Sequence, residues 1–277
     1  KLPFYLTLCG LIPGAAALPF LVARFGLVGS AVANVIGMGL TAAGFLGALI
    51  HVHKGSWKPD GKVIARQLVL GRDLILRSLS FQVAFVSAAA VAGRVSVAAL
   101  AAHQVMLQLW NFLTLVLDSL AIAAQTLTGS ALGTGRIDDA RAVGEKATRL
   151  SLWFALTLAG VFAIGGPFIR RLFTTDEAVL EAMAVPWWLL IAMIAAGGVL
   201  FALDGVLLGA GDAAFLRTLT LGSVLLGFLP GIAIAYWAET GLAGIWCGLT
   251  AMVVLRLVGD VWRFYSMRWA KIDTPED

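Results

Sequence analysis

Pro186–Leu208 reads PWWLLIAMIAAGGVLFALDGVLL, an apolar run in which Asp204 is the one ionisable residue. An α-helix rises about 1.5 Å per residue, so a run of this length can cross a hydrocarbon core about 30 Å thick. Seven further runs of similar character accompany it. The eight predicted spans are Pro3–Phe25, Leu27–Val52, Leu74–Gly93, Ala98–Leu120, Leu150–Phe168, Pro186–Leu208, Leu216–Trp237 and Gly244–Phe264.

The composition excludes a soluble chain. Of the 277 residues, 60% are hydrophobic and 13% are charged, whereas a typical soluble domain carries about 25% charged residues. We therefore expect an all-α integral membrane protein in contact with the lipid bilayer. The formal charge of +4 is too small to indicate a nucleic-acid partner. Cys9 and Cys247 both lie in apolar runs, so the sequence suggests neither a disulfide framework nor a metal site.

The loop charges predict the orientation. If the loop after the second span is cytoplasmic, that side of the membrane carries thirteen Lys and Arg residues, and the other side carries four. Cytoplasmic loops are enriched in Lys and Arg, so we expect a cytoplasmic C-terminus.

The segment 54–70 divides the chain. Lys58, Lys62 and Arg66 recur every four residues, with apolar residues between them. This pattern is typical of a basic amphipathic helix on the cytoplasmic headgroups. A solvated tether would show the same spacing, and the sequence leaves both interpretations open.

Two short repeats relate parts of the chain. GLVG at 26–29 recurs as GLAG at 241–244, and each precedes or opens an apolar span. If the match is a true repeat, the first two spans correspond to the last two, and four further spans are expected before Lys1. LGTG at 132–135 recurs as LGAG at 208–211, where each is expected to form a glycine turn that ends a helix.

A polar stripe runs along the fourth span. Its members fall within an arc of about 100° at about 3.6 residues per turn, and they are Gln104, Gln108, Asn111, Asp118 and Gln125. Such a stripe cannot face lipid, because its groups would lose their hydrogen-bonding partners. It predicts either a hydrated cavity or a seam of hydrogen bonds between helices.

Ionisable residues inside spans indicate functional positions by default. Asp204 is interpreted either as a carboxylate that binds a proton or Na⁺, or as a helix-end residue with a basic neighbour. Arg77 is either a counter-ion for Asp118 or Asp204, or a side chain that extends to the cytoplasmic interface, and its position near the start of a span favours the second interpretation. Arg256 and Asp260, four residues apart, are interpreted as an ion pair near a helix end.

His103 flanks the polar stripe, and we interpret it as a hydrogen-bonded packing residue rather than a proton relay. The sequence contains no GxxxxGK[ST], HExxH or GxSxG motif and no Cys/His cluster with metal-ligand spacing. It therefore predicts no catalytic residues, no metal and no organic cofactor. Energy for any active transport would come from an ion gradient or a partner.

Several blocks carry a family resemblance: AHQV at 102–105, LDSLAIAAQ at 117–125, GRD at 71–73 and LDGVLLGAGD at 203–212. With Arg77 and the GTG turn at 133–135, they resemble the multidrug and toxic compound extrusion (MATE) family. The nearest branch is the one named for DNA-damage-inducible protein F.

The resemblance implies a fold of twelve helices in two six-helix lobes. On this template, residues 1–53 supply the last two helices of the N-lobe and residues 54–70 the cytoplasmic lobe linker. Residues 71–268 supply a complete C-lobe, and residues 269–277 a cytoplasmic tail. The first four helices would be missing.

The resemblance also implies export of amphipathic, often cationic small molecules by H⁺ or Na⁺ antiport in the cell (inner) membrane, by a monomer. Asp204 would bind the coupling ion, with Asp118 as a second coupling position. The residues expected to contact substrate or water are Gln104, Gln108, Asn111, Gln125 and Arg77. The alternatives are a flippase for lipid-linked precursors, which would require a cavity rich in Arg and Lys, and an inactive truncated remnant.

Overall fold

The computed structural model describes residues 2–52 and 60–270, without the side chains of Lys62 and Arg66. Helices account for nearly all of these residues. They are α1 (Leu2–Val52), α2 (Gly61–Val95), α3 (Val97–Gly133), α4 (Ile137–Phe173), α5 (Glu177–Ala182), α6 (Ala184–Gly209), α7 (Ala213–Ser223), α8 (Leu229–Trp237) and α9 (Gly241–Tyr265), with a π-helical turn at Val224–Phe228 between α7 and α8.

The chain forms two compact units, an N-terminal unit of Lys1–Gly61 and a C-terminal unit of Lys62–Asp277. The boundary between them falls within the predicted linker 54–70. The amphipathic helix predicted for that linker lies partly outside the described residues, since Lys58 is not among them. The later part of the linker belongs to α2, which begins at Gly61.

The N-terminal unit is a helical hairpin. Helix α1 reverses at Gly26, where φ is 56° and ψ is −133°, a conformation open to glycine and strained for other residues. The two arms, 2–25 and 27–52, approach closely through glycines: a Cβ added at Gly14 would lie 2.9 Å from the Cα of Gly37. The arms are therefore the first two predicted spans.

Seven helical segments of the described chain are long and apolar enough to cross a membrane. One of these segments is α1, which crosses twice because it reverses at Gly26. Another is the continuous segment Ala213–Trp237, which consists of α7, the π-helical turn and α8. The prediction of eight spans is confirmed. Six of them lie in the C-terminal unit.

Helix α6 is the centre of the C-terminal unit. It packs against α3, α4 and α9, and its apolar side chains Leu190, Ile194, Leu200 and Val206 are fully buried. An all-round apolar helix of this kind can be enclosed on every side. The one charged residue of α6, Asp204, is buried with it.

Small residues bring α6 into backbone contact with α3. A Cβ added at Gly205 would lie 2.2 Å from the carbonyl oxygen of Ala121, and one added at Gly209 would lie 2.3 Å from that of Gln125. No side chain fits at these distances, so the two glycines fix how closely the helices approach. This contact sets the side chains of α3 beside Asp204.

Helix α2 enters the same core through an alanine stripe. Ala84, Ala88 and Ala92 repeat at four-residue spacing and are completely buried in the main hydrophobic cluster. Residues four apart lie on one face of a helix. The stripe therefore fixes which face of α2 is buried.

The two predicted glycine turns are confirmed. Gly135 (φ 74°) and Gly211 (φ 76°) both adopt the left-handed conformation immediately after a helix. In each turn the glycine N–H donates to the carbonyl three residues earlier, Leu132 at 2.9 Å and Leu208 at 3.0 Å. These hydrogen bonds satisfy carbonyls at the ends of α3 and α6.

The chain after α9 folds back onto the core. Trp269 is buried and stacks on Phe264 with ring centroids 5.6 Å apart, and its indole N–H donates to the Phe264 carbonyl oxygen at 2.9 Å. The sequence interpretation placed Trp269 in the tail, but its side chain packs with the C-terminal unit.

The hairpin geometry of α1 can be tested by a disulfide. A Cβ at Gly44 would lie 4.0 Å from the Cβ of Leu6, within the usual disulfide range of about 3.5–4.5 Å. We expect the Leu6→Cys/Gly44→Cys pair, with Cys9 and Cys247 replaced by Ala, to lose both free thiols on mild oxidation. Maleimide labelling and mass spectrometry measure the loss.

The matched control pair is Leu6→Cys/Gly47→Cys, because a Cβ at Gly47 meets no atom within 4 Å. This pair should keep both thiols. A continuous helix would separate residues 6 and 44 by about 57 Å at about 1.5 Å per residue, so an unoxidised Leu6/Gly44 pair would contradict the reversal at Gly26.

The α3–α6 contact predicts a difference between two glycine substitutions. Gly205→Ala should destabilise the protein by about 1–3 kcal/mol, because the added methyl group overlaps the Ala121 carbonyl. Gly222→Ala on α7 meets no atom within 4 Å and should be neutral or stabilising by up to about 1 kcal/mol. Thermal unfolding of the detergent-solubilised protein measures both, and equal midpoints would contradict the close contact.

Candidate functional site

A cavity of about 430 Å³ opens within the C-terminal unit. Four helices, α2, α3, α6 and α9, supply its walls. The lining residues are Arg77, Phe81, Phe85, Trp110, Asn111, Thr114, Asp118, Ala121, Ile122, Gln125, Met193, Phe201, Asp204, Gly205, Leu208, Met252, Val253 and Arg256. Charged groups are thus combined with aromatic and aliphatic walls.

Asp204 is the central charged group of the cavity. It is 4% exposed, and its Oδ2 accepts hydrogen bonds from Arg77 of α2 and from Arg256 of α9, the latter at 2.5 Å. The close approach of α6 to α3 and α9 buries this carboxylate, and the two guanidinium groups compensate for the hydration that it loses. The ion pairs connect three helices at one point.

An aromatic ring lies beneath both guanidinium groups. The Cζ atoms of Arg256 and Arg77 are 4.8 Å and 5.9 Å from the centroid of the Phe81 ring, distances at which cations are attracted to an aromatic face. Across the cavity, Trp110 and Phe201 pack with centroids 6.2 Å apart. These rings give the cavity an apolar wall beside its charges.

Helix α3 supplies the polar wall. Asn111, Asp118 and Gln125 line the cavity together with Thr114, whose hydroxyl donates to the Asn111 carbonyl oxygen at 2.8 Å. Asp118 lies within electrostatic range of Asp204 and both arginines. The structure therefore brings three of the five predicted stripe residues to the cavity.

The remaining two stripe residues, Gln104 and Gln108, are exposed on α3 and lie outside this cavity. Their role as substrate contacts stays a prediction. Arg77, the other predicted cavity residue, does line the cavity.

Asp260 lies behind Asp204 on α9. It is completely buried, and neither of its carboxyl oxygens receives a hydrogen bond from any described group. Its carboxyl group lies close to that of Asp204 and within electrostatic range of Arg256 and Arg77. Asp260 does not line the cavity.

Two sequence interpretations are wrong. Arg256 and Asp260 do not form an ion pair near a helix end, because Arg256 extends across to α6 and binds Asp204 instead. Arg77 does not extend to the membrane interface, because it also binds Asp204 and is only 14% exposed. The alternative interpretation of Arg77, a counter-ion for Asp204, is confirmed. Both arginines bind the same buried carboxylate, which lies on a third helix.

The interpretation of His103 is correct in part. The residue is fully buried and packs edge-on against Trp246, with ring centroids 6.0 Å apart. Neither ring nitrogen has a hydrogen-bond partner within the described chain. His103 is a packing residue without the hydrogen bond that the sequence led us to expect.

A second group of charges lies on α2, α7 and α9 and in the turn before α7. Asp73 of α2 binds Arg217 of α7 at 2.5 Å and Arg72 at 2.9 Å, while Asp212 binds Arg263 of α9 at 2.6 Å. These pairs involve charged residues closer to the predicted cytoplasmic side. They join α2 to α7 and the start of α7 to α9.

The sequence interpretation missed Arg256 and Asp260 as parts of the site. Both are ionisable residues within a predicted span, and that signal by itself indicates function. Their four-residue spacing suggested an ion pair within one helix, and this interpretation concealed the functional signal. No group of three or more metal-ligating residues is found in the described part of the chain.

The fold and the sequence match one family. The MatE family model matches residues 74–233, which covers most of the C-terminal unit. The chloroplastic protein DETOXIFICATION 44 of Arabidopsis thaliana is 31% identical over 99% of this chain and 54% of its own length. The DNA damage-inducible protein F of Escherichia coli is 27% identical over 75% of this chain and 45% of its own length.

The solved structure of a eukaryotic MATE transporter, AtDTX14, superposes with a TM-score of 0.85 at 19% identity, over 97% of this chain and 63% of that one. This likeness concerns the fold. The chain spans about half the length of the curated relatives it matches. Because the family model covers more than half of this multi-pass membrane chain, the protein belongs to the MatE family of transporters.

Proposed function

We propose that this chain forms part of a secondary active exporter of amphipathic, cationic small molecules. The observation that carries the proposal is the cavity, where one buried carboxylate is neutralised by two arginines beside an aromatic wall. A buried carboxyl can change its charge by binding an ion, which is the property that ion coupling requires.

Asp118 supports a cationic substrate. It lines the cavity and forms no ion pair among the described residues, while Asp204 is already bound to both arginines. The aromatic residues Phe81 and Trp110 provide surfaces on which an organic cation can stack. An amphipathic cation could pair its charge with Asp118 and pack its apolar part against the aromatic rings.

Coupling to H⁺ or Na⁺ gives the transport its energy, and Asp204 is the residue at which coupling ion and substrate meet. Ion binding at this carboxyl would weaken its ion pairs with Arg77 and Arg256. The contacts that these pairs make between α6 and the helices α2 and α9 would weaken with them. Access would then alternate between the two faces of the membrane.

We also propose a cell (inner) membrane location with a cytoplasmic C-terminus, from the excess of Lys and Arg in loops on that side, and a monomeric state. The flippase alternative requires free cationic groups in the cavity. Arg77 and Arg256 are both bound to Asp204, so we do not favour it.

The coupling role predicts the effect of one substitution. The product of the complete gene, reconstituted in vesicles, should export a fluorescent cation when a pH or Na⁺ gradient is imposed. Asp204→Asn should abolish the dependence of efflux on the gradient, because the amide cannot exchange an ion. Efflux is measured by fluorescence.

Asp138→Asn makes the same carboxyl-to-amide change at an exposed position of α4 and should leave efflux unchanged. Gradient-dependent efflux in the Asp204→Asn variant would refute the coupling role. An absence of efflux from the unsubstituted protein with a range of cations would refute the proposed function itself.

The cavity predicts which polar residues of α3 contact substrate. Asn111→Leu should raise the substrate concentration for half-maximal efflux by about 2- to 10-fold, the equivalent of one lost hydrogen bond. Gln104→Leu, on the same helix but outside the cavity, should change it little. Equal effects of the two substitutions would contradict the assignment of this cavity as the substrate site.

A further inference from the structure

Asp260 has no role in the function proposed so far. It is 0% exposed, and both of its oxygens lack a hydrogen-bond donor among the described residues. Burying an ionised carboxylate without donors is very unfavourable, and such groups are normally neutralised or paired. The burial of Asp260 without donors therefore favours the protonated form of its carboxyl group.

The neighbouring carboxyl group, that of Asp204, also has one oxygen without a hydrogen-bond donor. The Oδ2 atom of Asp204 accepts from both arginines, whereas its Oδ1 atom accepts from no described group. The Asp260 carboxyl lies close to that of Asp204. Two ionised carboxylates can only accept hydrogen bonds, so one proton placed between them provides the donor that both lack.

The net charge of the whole cluster also indicates one shared proton. The groups that face Asp260 are Asp204 on α6, Arg256 on α9 and Arg77 on α2, and Asp118 on α3 lies close to these. Three carboxyl and two guanidinium groups are formally neutral when they carry one extra proton. A neutral cluster is strongly favoured where the dielectric constant is low.

We propose that Asp260 is the proton-carrying carboxyl of this transporter and shares one proton with Asp204. The inference deepens the proposed function, on which it rests, by naming H⁺ as the coupling ion. Asp204 lines the cavity and Asp260 does not, so the shared hydrogen bond connects Asp260 with water in the cavity.

Proton release follows a simple path. The O–H bond of the shared proton breaks, the proton passes to cavity water by way of Asp204, and both carboxyls are left ionised. Arg256, one helical turn from Asp260, then has a second carboxylate within electrostatic range besides Asp204. The cluster gains one negative charge, which a cationic substrate neutralises until a proton returns.

Infrared spectroscopy of the reconstituted product of the complete gene tests the shared proton without any transport assay. The unsubstituted protein at neutral pH should show the C=O stretch of a protonated carboxylic acid, since exposed Asp and Glu are ionised there. Asp260→Asn should lose this component, and Asp138→Asn, the same change at an exposed position of α4, should keep it. Labelling with ¹³C-aspartate should shift the band and assign it to Asp.

Asp204→Asn separates a shared proton from a proton held by Asp260 alone. With the neighbouring charge removed, Asp260 should ionise and pair with Arg256, so the band should again be lost. Retention of the band in Asp204→Asn would overturn the sharing. Its retention in Asp260→Asn, or its absence from the labelled unsubstituted protein, would overturn the proposal.

The labelled unsubstituted protein tests for a protonated aspartic acid even if a variant fails to fold, and its lack of the band would by itself overturn the proposal. A transport measurement then separates this proposal from the function on which it rests. Asp260→Asn should lose efflux driven by a pH gradient while substrate exchange at equal pH on both sides continues. A protein that shows the aspartic acid band but no efflux would refute the function and leave the shared proton standing.

Discussion

The neutralisation of Asp204 is the interaction on which the arrangement of this site depends. A carboxylate on the most enclosed helix of the C-terminal unit is buried, and two guanidinium groups from other helices compensate for the hydration that it loses. Removing one partner of a buried ion pair typically costs about 3–5 kcal/mol. The positions of α2 and α9 relative to α6 are therefore tied to the charge of one side chain, and a change in that charge acts on three helices together.

The glycines of α6 make this arrangement possible. Gly205 and Gly209 bring the α6 backbone against the α3 backbone, so that Asp118 and Asn111 reach the cavity that Asp204 lines. A larger residue at either glycine would separate the polar wall of α3 from the charged group of α6. The short segment 203–209 therefore supplies both the glycines of the close helix contact and the carboxylate of the ion pairs.

The combination of a bound carboxyl, Asp204, and a buried carboxyl without donors, Asp260, distinguishes this cavity from a simple binding pocket. The arginines hold the first carboxyl in place, and the second supplies a group whose charge can change. Asp118 adds a carboxyl in contact with the cavity itself. The proposed function needs a charge that a proton and a substrate can neutralise in turn, and we propose that the five groups of this cluster provide it within one unit of the chain.

The sequence by itself determined the membrane class, the eight spans and the two glycine turns, because hydrophobicity, helix length and the left-handed conformation of glycine are local properties. It also identified Asp204, Asp118, Asn111, Gln125 and Arg77, since polar groups within apolar helices are rare and costly. Only the tertiary structure decided which charges meet. Arg256 is four residues from Asp260 on the same helix, yet it binds Asp204, which is far away in sequence, because helix packing places that carboxylate within 2.5 Å of it. The reach of a long side chain between helices depends on their separation and rotation, and the periodicity of one helix carries no information about either.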